Sequence, residues 1–189
     1  MKSISHKHRQ LVTALALSLI VMFTNAQAKE QQSAPFTITT NKDDARHFVI
    51  GEKMDIIISV SENIYLHCFY VSGGSILKIY PSHTRGQHGT VRPSLPELPV
   101  HISEHLGPMK ASEPVGRDTV SCIGSSKPML YVIPTNISEA PLASALSYDS
   151  MNALIEVFRR VAEQPLHMRS IQIDITDPND LPSSGKSAK

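Results

Sequence analysis

The stretch from Ile50 to Pro81 constrains the fold more than any other part of the chain, because it predicts three consecutive strands with one shared buried face. Apolar residues alternate within each strand, and short runs rich in Ser, Gly and Asn separate them. The three predicted strands are 54–60, 64–71 and 76–80. We therefore expect a β-meander at the centre of the fold.

Both turns of this meander predict the same register. A two-residue hairpin loop at 73–74 sets Cys68 opposite Ile79. A three-residue loop at 61–63 sets Ile56 opposite Cys68. The residues that then share the buried face are Met54, Ile56, Ile58, Val60, Ile64, Leu66, Cys68, Tyr70, Leu77 and Ile79. A slip of one residue would turn the whole set to solvent, so agreement between the turns supports this register.

The same register predicts which polar residues of the meander face solvent. The residues expected to point outward are Lys53, Glu62, His67 and Lys78.

The remaining periodic segments complete the predicted fold. Further strands are expected at 36–40, 118–124, 129–133 and 168–176, with a short edge strand at 99–102. One convincing helix follows Pro141, with apolar residues at helical spacing from Met151 to Val161, a cap at Ser147 or Asp149, and a stop at Pro165. The predicted fold class is α+β, mainly β: a small antiparallel sandwich or curled sheet with one late amphipathic helix.

Several short motifs resemble those of a bacterial family, the domain of unknown function numbered 4384. The motifs are Phe48-Val49-Ile50-Gly51-Glu52, Tyr65, the Gly-Gly-Ser turn at 73–75, Ile79-Tyr80-Pro81, the run Glu113 to Asp118 and the run Ser125 to Pro128. The resemblance covers roughly residues 46–133. It implies a domain of bacterial envelope and secretion-linked proteins and supplies no catalytic residues.

The first 28 residues have the pattern of a secretory signal peptide. A basic start precedes an apolar run at 11–23, and Ala26-Gln27-Ala28 fits the cleavage pattern. The alternative, an uncleaved anchor, is disfavoured because thirteen helical residues cover only about 20 Å of a bilayer core about 30 Å thick. We expect a flexible N-terminus at 29–35, one domain at 36–176 and a disordered tail at 177–189. The expected location is the periplasm, with secretion as the alternative.

Charge and composition restrict the partners. Cleavage after residue 28 would remove three basic residues and leave 15 basic against 17 acidic residues, a net charge of −2. Phosphate binding needs a surplus of clustered basic charge, so nucleic acid is not predicted as a partner. No second apolar run is long enough to span a membrane. A protein or an envelope component is the expected partner.

Cys68 and Cys122 are the only two cysteines. Export to an oxidising compartment favours a disulfide between them, with two unpaired core cysteines as the alternative. Because the meander places strands on both sides of Cys68, its sulfur is expected to reach Cys122 across the core, from a facing layer.

Residues 82–114 form a proline-rich arm without sustained periodicity. Long loops inside compact domains are uncommon and often functional. The arm is therefore the expected contact surface for a partner, with Leu95, Leu98, Val100 and Ile102 as contact residues. The alternative is that these side chains cover the open face of the sheet.

No sequence motif predicts catalysis, a cofactor or a metal site. A nucleophile elbow, a phosphate-binding loop, a dinucleotide-binding glycine pattern and a zinc-protease motif are all missing from the sequence. Four histidines lie in the arm or beside it: His83, His88, His101 and His105. Their loose spacing favours surface histidines over metal ligands. The predicted function is a non-catalytic exported binding domain, and the alternative is a secreted hydrolase or effector enzyme built on these histidines.

Overall fold

The computed structural model describes residues 35–42, 46–81, 90–91 and 99–180. The predicted signal peptide lies outside the described residues. So do most of the flexible N-terminus, much of the arm and the end of the predicted tail.

Twelve strands and three helices are present in the described residues. The strands are β1 Phe36–Thr40, β2 His47–Val49, β3 Lys53–Met54, β4 Ile56–Val60, β5 Ile64–Ser72, β6 Ser75–Tyr80, β7 Thr90–Val91, β8 Val100–His101, β9 Met109–Lys110, β10 Gly116–Ser125, β11 Ala145–Leu146 and β12 His167–Thr176. The helices are α1 Ile102–Leu106, α2 Thr135–Ser138 and α3 Met151–Val161, and a 3-10 turn follows at Pro178–Asp180.

The strands form two sheets and one short ladder. The small sheet has the order β1-β4-β8, and the large sheet has the order β11-β6-β5-β10-β12-β2, with β7 also paired to β5. Strands β3 and β9 form the separate ladder. All these pairs are antiparallel except β12 with β2. The predicted class, α+β and mainly β, is confirmed.

One hydrophobic core lies between the two sheets. Its members are the inward side chains of both sheets, together with residues of the arm. The core comprises Phe36, Ile38, Phe48, Met54, Ile56, Ile58, Val60, Ile64, Leu66, Cys68, Ile79, Tyr80, Ile102, Ala111, Val120, Cys122, Ile171, Ile173 and Ile175. Two facing sheets that share one apolar interior form a sandwich.

A second hydrophobic core lies on the opposite face of the large sheet, beneath α3. It comprises Phe69, Ile76, Ile123, Met129, Ile133, Ile137, Leu146, Leu154 and Phe158. Leu154 and Phe158 are four residues apart on α3, so they point to the same side of the helix. The predicted helix is confirmed over Met151–Val161. Its N-cap is Ser150, whose hydroxyl accepts a hydrogen bond from the amide of Ala153, and not Ser147 or Asp149.

The predicted pairing of 54–60 with 64–71 is wrong. Strand β4 belongs to the small sheet, where it pairs with β1 and β8, and residues 61–63 form a corner between the sheets instead of a hairpin. Ile56 pairs with Thr40 and does not face Cys68. The predicted burial of these strands is nevertheless correct, because the inner faces of the two sheets pack against the same core. A hairpin and a sheet-to-sheet corner produce the same alternation.

The predicted β5–β6 hairpin is present, but its register shifts at a bulge. Tyr70 faces Leu77 as predicted, whereas Cys68 faces Tyr80 and not Ile79, because the ladder shifts between Cys68 and Phe69. A bulge adds one residue to one strand and so offsets the pairs beyond it.

His67 and Lys78 were predicted to be exposed to solvent, and this prediction is wrong. Their side chains are 2% and 1% exposed, while Leu66 is also fully buried. Strand β5 therefore has both faces covered, one by the small sheet and the other by α3. Lys53 and Glu62 are exposed as predicted.

Cys68 and Cys122 are joined by a disulfide, as predicted, but not across the core. They face each other on neighbouring strands β5 and β10, with their Cα atoms 4.1 Å apart. The expected facing-layer geometry fails because β10, and not β4, is the second neighbour of β5. The bond therefore links two central strands of one sheet.

Residues 129–133 form a turn instead of the predicted strand. The amides of Val132 and Ile133 both donate to the carbonyl of Met129, at 3.0 Å each. Met129 and Ile133 are buried, whereas Tyr131 and Val132 are exposed. A strand would alternate its side chains, so this pattern of buried ends and exposed middle requires a turn.

The described helices give no candidate membrane span, since none combines sufficient length with sufficient apolar character.

Candidate functional site

A concave, largely apolar groove of about 250 Å³ lies beside the β5–β6 hairpin. It is formed by β3, the β5–β6 hairpin, the segment 106–112 and the loop before β11. The lining residues are Met54, Tyr70, Leu77, Ile79, Leu106, Gly107, Pro108, Met109, Lys110, Ser112 and Ala143. Two of these are methionines, whose unbranched side chains adapt to different ligand shapes.

Local sequence explains how the segment 106–112 reaches the groove. Helix α1 ends at Leu106, and the amide of Gly107 donates to the carbonyl of Ser103 at 2.9 Å. Gly107 has a φ of +83°, which glycine adopts without steric cost. The following Pro108 cannot continue the helix, so the chain turns and pairs as β9 with β3. Leu106 and Met109 consequently line the same groove.

One polar group among the residues that line the groove is the hydroxyl of Tyr70. It donates a hydrogen bond to the carboxylate of Asp118, which is 3% exposed. Burial, together with this bond and the charge of Asp118, raises the pKa of Tyr70 above its ordinary value. The phenol therefore stays protonated, and its ring contributes an apolar wall to the groove.

The rim of the groove is basic. Among the described lining residues, only Lys110 carries a charge. Lys110 lies opposite Lys53 in the β3–β9 ladder, and both are exposed. In the part of the chain that the structure describes, neither lysine forms an ion pair. Like charges at facing positions repel each other modestly, and an acidic group of a ligand would relieve that repulsion.

A histidine and a carboxylate do meet in the structure, but away from the groove. Nδ1 of His101 lies 2.6 Å from Oδ2 of Asp55, and the amide of Ser103 donates to Oδ1 of Asp55 at 3.0 Å. Burial raises the pKa of Asp55, but the hydrogen bonds from His101 and Ser103 outweigh it and hold that pKa below its ordinary value.

This trio has the wrong order for nucleophilic catalysis. The carboxylate is the central group, whereas in a catalytic triad the imidazole lies between the acid and the nucleophile. Asp55, just before β4, instead bonds to the end of β8 and to the start of α1. Neither of the two described cavities includes His101 or Asp55 in its lining.

The arm histidines do not converge in the described residues. His101 contacts Asp55, while the ring of His105 packs against Tyr80 with centroids 5.3 Å apart. His83 and His88 lie outside the described residues. Within the described residues, no group of three or more His, Cys, Asp or Glu side chains could hold a metal ion.

Two ionisable residues are buried beside the second core and line neither of the two described cavities. Nζ of Lys78 donates to the carbonyls of Ser138 and Ala140, at 2.8 and 3.1 Å. Burial lowers the pKa of Lys78 to about 8. His67 packs against Phe158, with ring centroids 5.2 Å apart. Burial and the nearby charge of Lys78 lower its pKa to about 3.

The predicted contact residues of the arm have different positions. Leu95 and Leu98 lie outside the described residues. Val100 is half-buried and pairs with Ile58 at the edge of the small sheet, which confirms the predicted short edge strand. Ile102 is fully buried in the core, so its assignment as a contact residue is wrong.

Sequence reasoning missed the groove because its walls come from four separate segments. The only local signal for the turn is the dipeptide Gly107-Pro108, which separates the apolar residues Leu106 and Met109. Nothing in a single sequence places that turn beside Leu77.

Comparison with protein-family models, with curated proteins and with solved structures gives no match to this chain. The resemblance to the domain of unknown function 4384 over 46–133 therefore stays a prediction.

Proposed function

We propose that the chain is an exported, non-catalytic domain that binds a protein or another envelope component, as an accessory part of an envelope or secretion assembly. The observation that carries this proposal is the groove beside the β5–β6 hairpin. Its walls are apolar, its methionines are adaptable and its rim is basic, which suits an apolar side chain next to an acidic group.

The size of the groove favours a protein partner over a small molecule. Ligand pockets for small molecules usually measure roughly 300–1,000 Å³, and they enclose most of the ligand. A groove of about 250 Å³ is suited to one or two side chains of a larger partner. Such anchoring side chains usually dominate the affinity of a protein interface.

Export is supported by two features of the sequence and structure. The first 28 residues have the pattern of a signal peptide, and a disulfide links the two central strands β5 and β10. Disulfides persist mainly in oxidising compartments.

The alternative, a hydrolase built on the arm histidines, has the pair His101–Asp55 in its favour. The two proposals predict different effects of His101→Gln. In a hydrolase this change would abolish turnover of ester and amide substrates, whereas in a binding domain it would only weaken the attachment of α1.

Site-specific photocrosslinking tests the binding proposal. A photoreactive residue at Ser112, which is exposed at the groove, is compared in cells with one at Thr37, which is exposed on β1. We expect one defined envelope protein to be captured from position 112 and not from position 37. Leu77→Asp should reduce this capture, and Val115→Asp, at an exposed position outside the groove lining, should not. Equal capture from both positions would show that the groove is not the contact surface.

A further inference from the structure

The turn at 129–133 presents an aromatic side chain on a rigid support. Met129 and Ile133 are 3% and 4% exposed and anchor the turn in the second core. The two amide hydrogen bonds to the carbonyl of Met129 hold the tip between them. Tyr131 is 80% exposed and Val132 is 50% exposed, the two highest values among the large hydrophobic residues that the structure describes. Tyrosine in such a position offers a large contact area at a low cost in conformational entropy.

A cleft of about 210 Å³ lies directly beside this tip, between the turn and the C-terminal end of α3. Its apolar lining includes Met129, Val132, Val161 and Ala162. Val132 belongs to both the exposed tip and the wall of the cleft. The protruding side chain and the cleft are therefore neighbours on one face of the molecule.

Hydrogen bonds hold the polar wall of the cleft in place. Nε2 of Gln164 donates to the hydroxyl of Ser125 at 2.8 Å, and the hydroxyl of Ser126 donates to Oε1 of Gln164 at 2.7 Å. The amide of Gln164 and the two serine hydroxyls therefore have hydrogen-bond partners within the chain. The cleft can then accept an apolar ring without leaving them unpaired.

We propose that two copies of this chain associate about a two-fold axis, with Tyr131 of each copy in the cleft of the other. A two-fold interface uses the same patch on both subunits, so the patch must contain both the protruding group and the cavity that receives it. The adjacency of Tyr131 and the cleft meets this requirement.

The charges at the rim of the cleft also fit a second copy. Lys127 and Glu163 line the cleft, and their side chains are 66% and 81% exposed, with 3.7 Å between Nζ and Oε2. A rim with one charge of each sign is complementary to its own two-fold copy. There Lys127 would face Glu163 of the partner subunit, and the reverse pair would form on the other side of the axis.

Sedimentation velocity of the exported protein tests this proposal. The concentrations extend to about 300 µM, where weak interfaces are populated. We expect a reversible monomer–dimer equilibrium. Tyr131→Ser should weaken dimerisation by about tenfold or more, as expected for the loss of a central aromatic anchor. The matched control, Val115→Ser, changes an exposed side chain elsewhere and should leave the equilibrium unchanged. A monomer throughout this range, or equal dimerisation of both variants, would overturn the proposal.

Charge exchange tests the two-fold arrangement itself. Lys127→Glu should weaken the dimer, because two glutamates would then face each other across each half of the interface. The double change Lys127→Glu with Glu163→Lys should restore it. Failure of the double variant to recover would refute the pairing about a two-fold axis.

Discussion

Acid should destabilise this fold at a pH well above the range in which carboxylates titrate, because His67 is buried as a neutral group. Its side chain is 2% exposed beneath α3, and neither ring nitrogen has a hydrogen-bond partner among the described residues. Burial and the charge of Lys78 lower the pKa of His67 from 6.5 to about 3. Both effects oppose a second positive charge in the same core.

The sign and size of the effect follow from proton linkage. Below pH 6.5 the unfolded chain binds a proton at His67, while the folded chain does not do so until the pH approaches about 3. The free energy of unfolding therefore falls as the pH falls, by about 1.4 kcal/mol for each pH unit. At pH 5 the loss is about 2 kcal/mol relative to pH 8, a large part of the roughly 5–15 kcal/mol that stabilises a typical domain.

Urea unfolding followed by circular dichroism between pH 8 and pH 5 measures this loss. His67→Leu removes the titrating group and should abolish the part of the slope that lies between pH 6.5 and pH 5. It should also raise stability at pH 5, because no unpaired ring nitrogen remains buried. The matched control, His47→Gln at an exposed position, should keep the slope. Equal slopes for the wild type and His67→Leu would refute the linkage argument.

Three further changes test the packing of the large sheet by urea unfolding. Replacing Cys68 and Cys122 by Ala should lower the free energy of unfolding by about 4 kcal/mol, because the disulfide closes a loop with a sequence separation of 54 residues in the unfolded chain. A loss below about 1 kcal/mol would contradict this. Gly124→Ala should lower the free energy of unfolding by about 1–3 kcal/mol, because the added carbon would lie 2.4 Å from Cδ1 of Ile64. An unchanged urea midpoint would contradict this close packing. Ser150→Ala removes the N-cap of α3 and should cost about 1 kcal/mol, whereas Ser150→Asp should not.

Burial in the sheets could be predicted from the sequence more reliably than pairing. Period-two alternation shows which side chains share a face, and the faces of β4 and β5 were predicted correctly. Alternation carries no information on which strand lies beside β5. A hairpin at 61–63 and a corner at 61–63 would point the same side chains into the core. Only the long-range pairing of β5 with β10 distinguishes these two arrangements.

The same limit explains the errors at His67 and Lys78. The meander predicts one buried face, and polar residues at the alternate positions then appear exposed. Helix α3 comes about 80 residues later in the chain than these two side chains and covers that second face. A polar residue in a strand is compatible with burial when a later element supplies partners, as the carbonyls of Ser138 and Ala140 do for Lys78.

The arm shows why the contact surface must be tested by point substitutions instead of by deletion. Replacement of 82–114 by a flexible linker would remove Ile102 and Ala111, which are 0% and 2% exposed, together with both short strands that pair with β3 and β4. Loss of one buried aliphatic side chain of this size costs about 2–5 kcal/mol, so such a variant would lose its fold together with any binding. Leu77 is half-buried at the groove and belongs to β6, outside the arm. A change there separates the loss of a partner from the loss of the core.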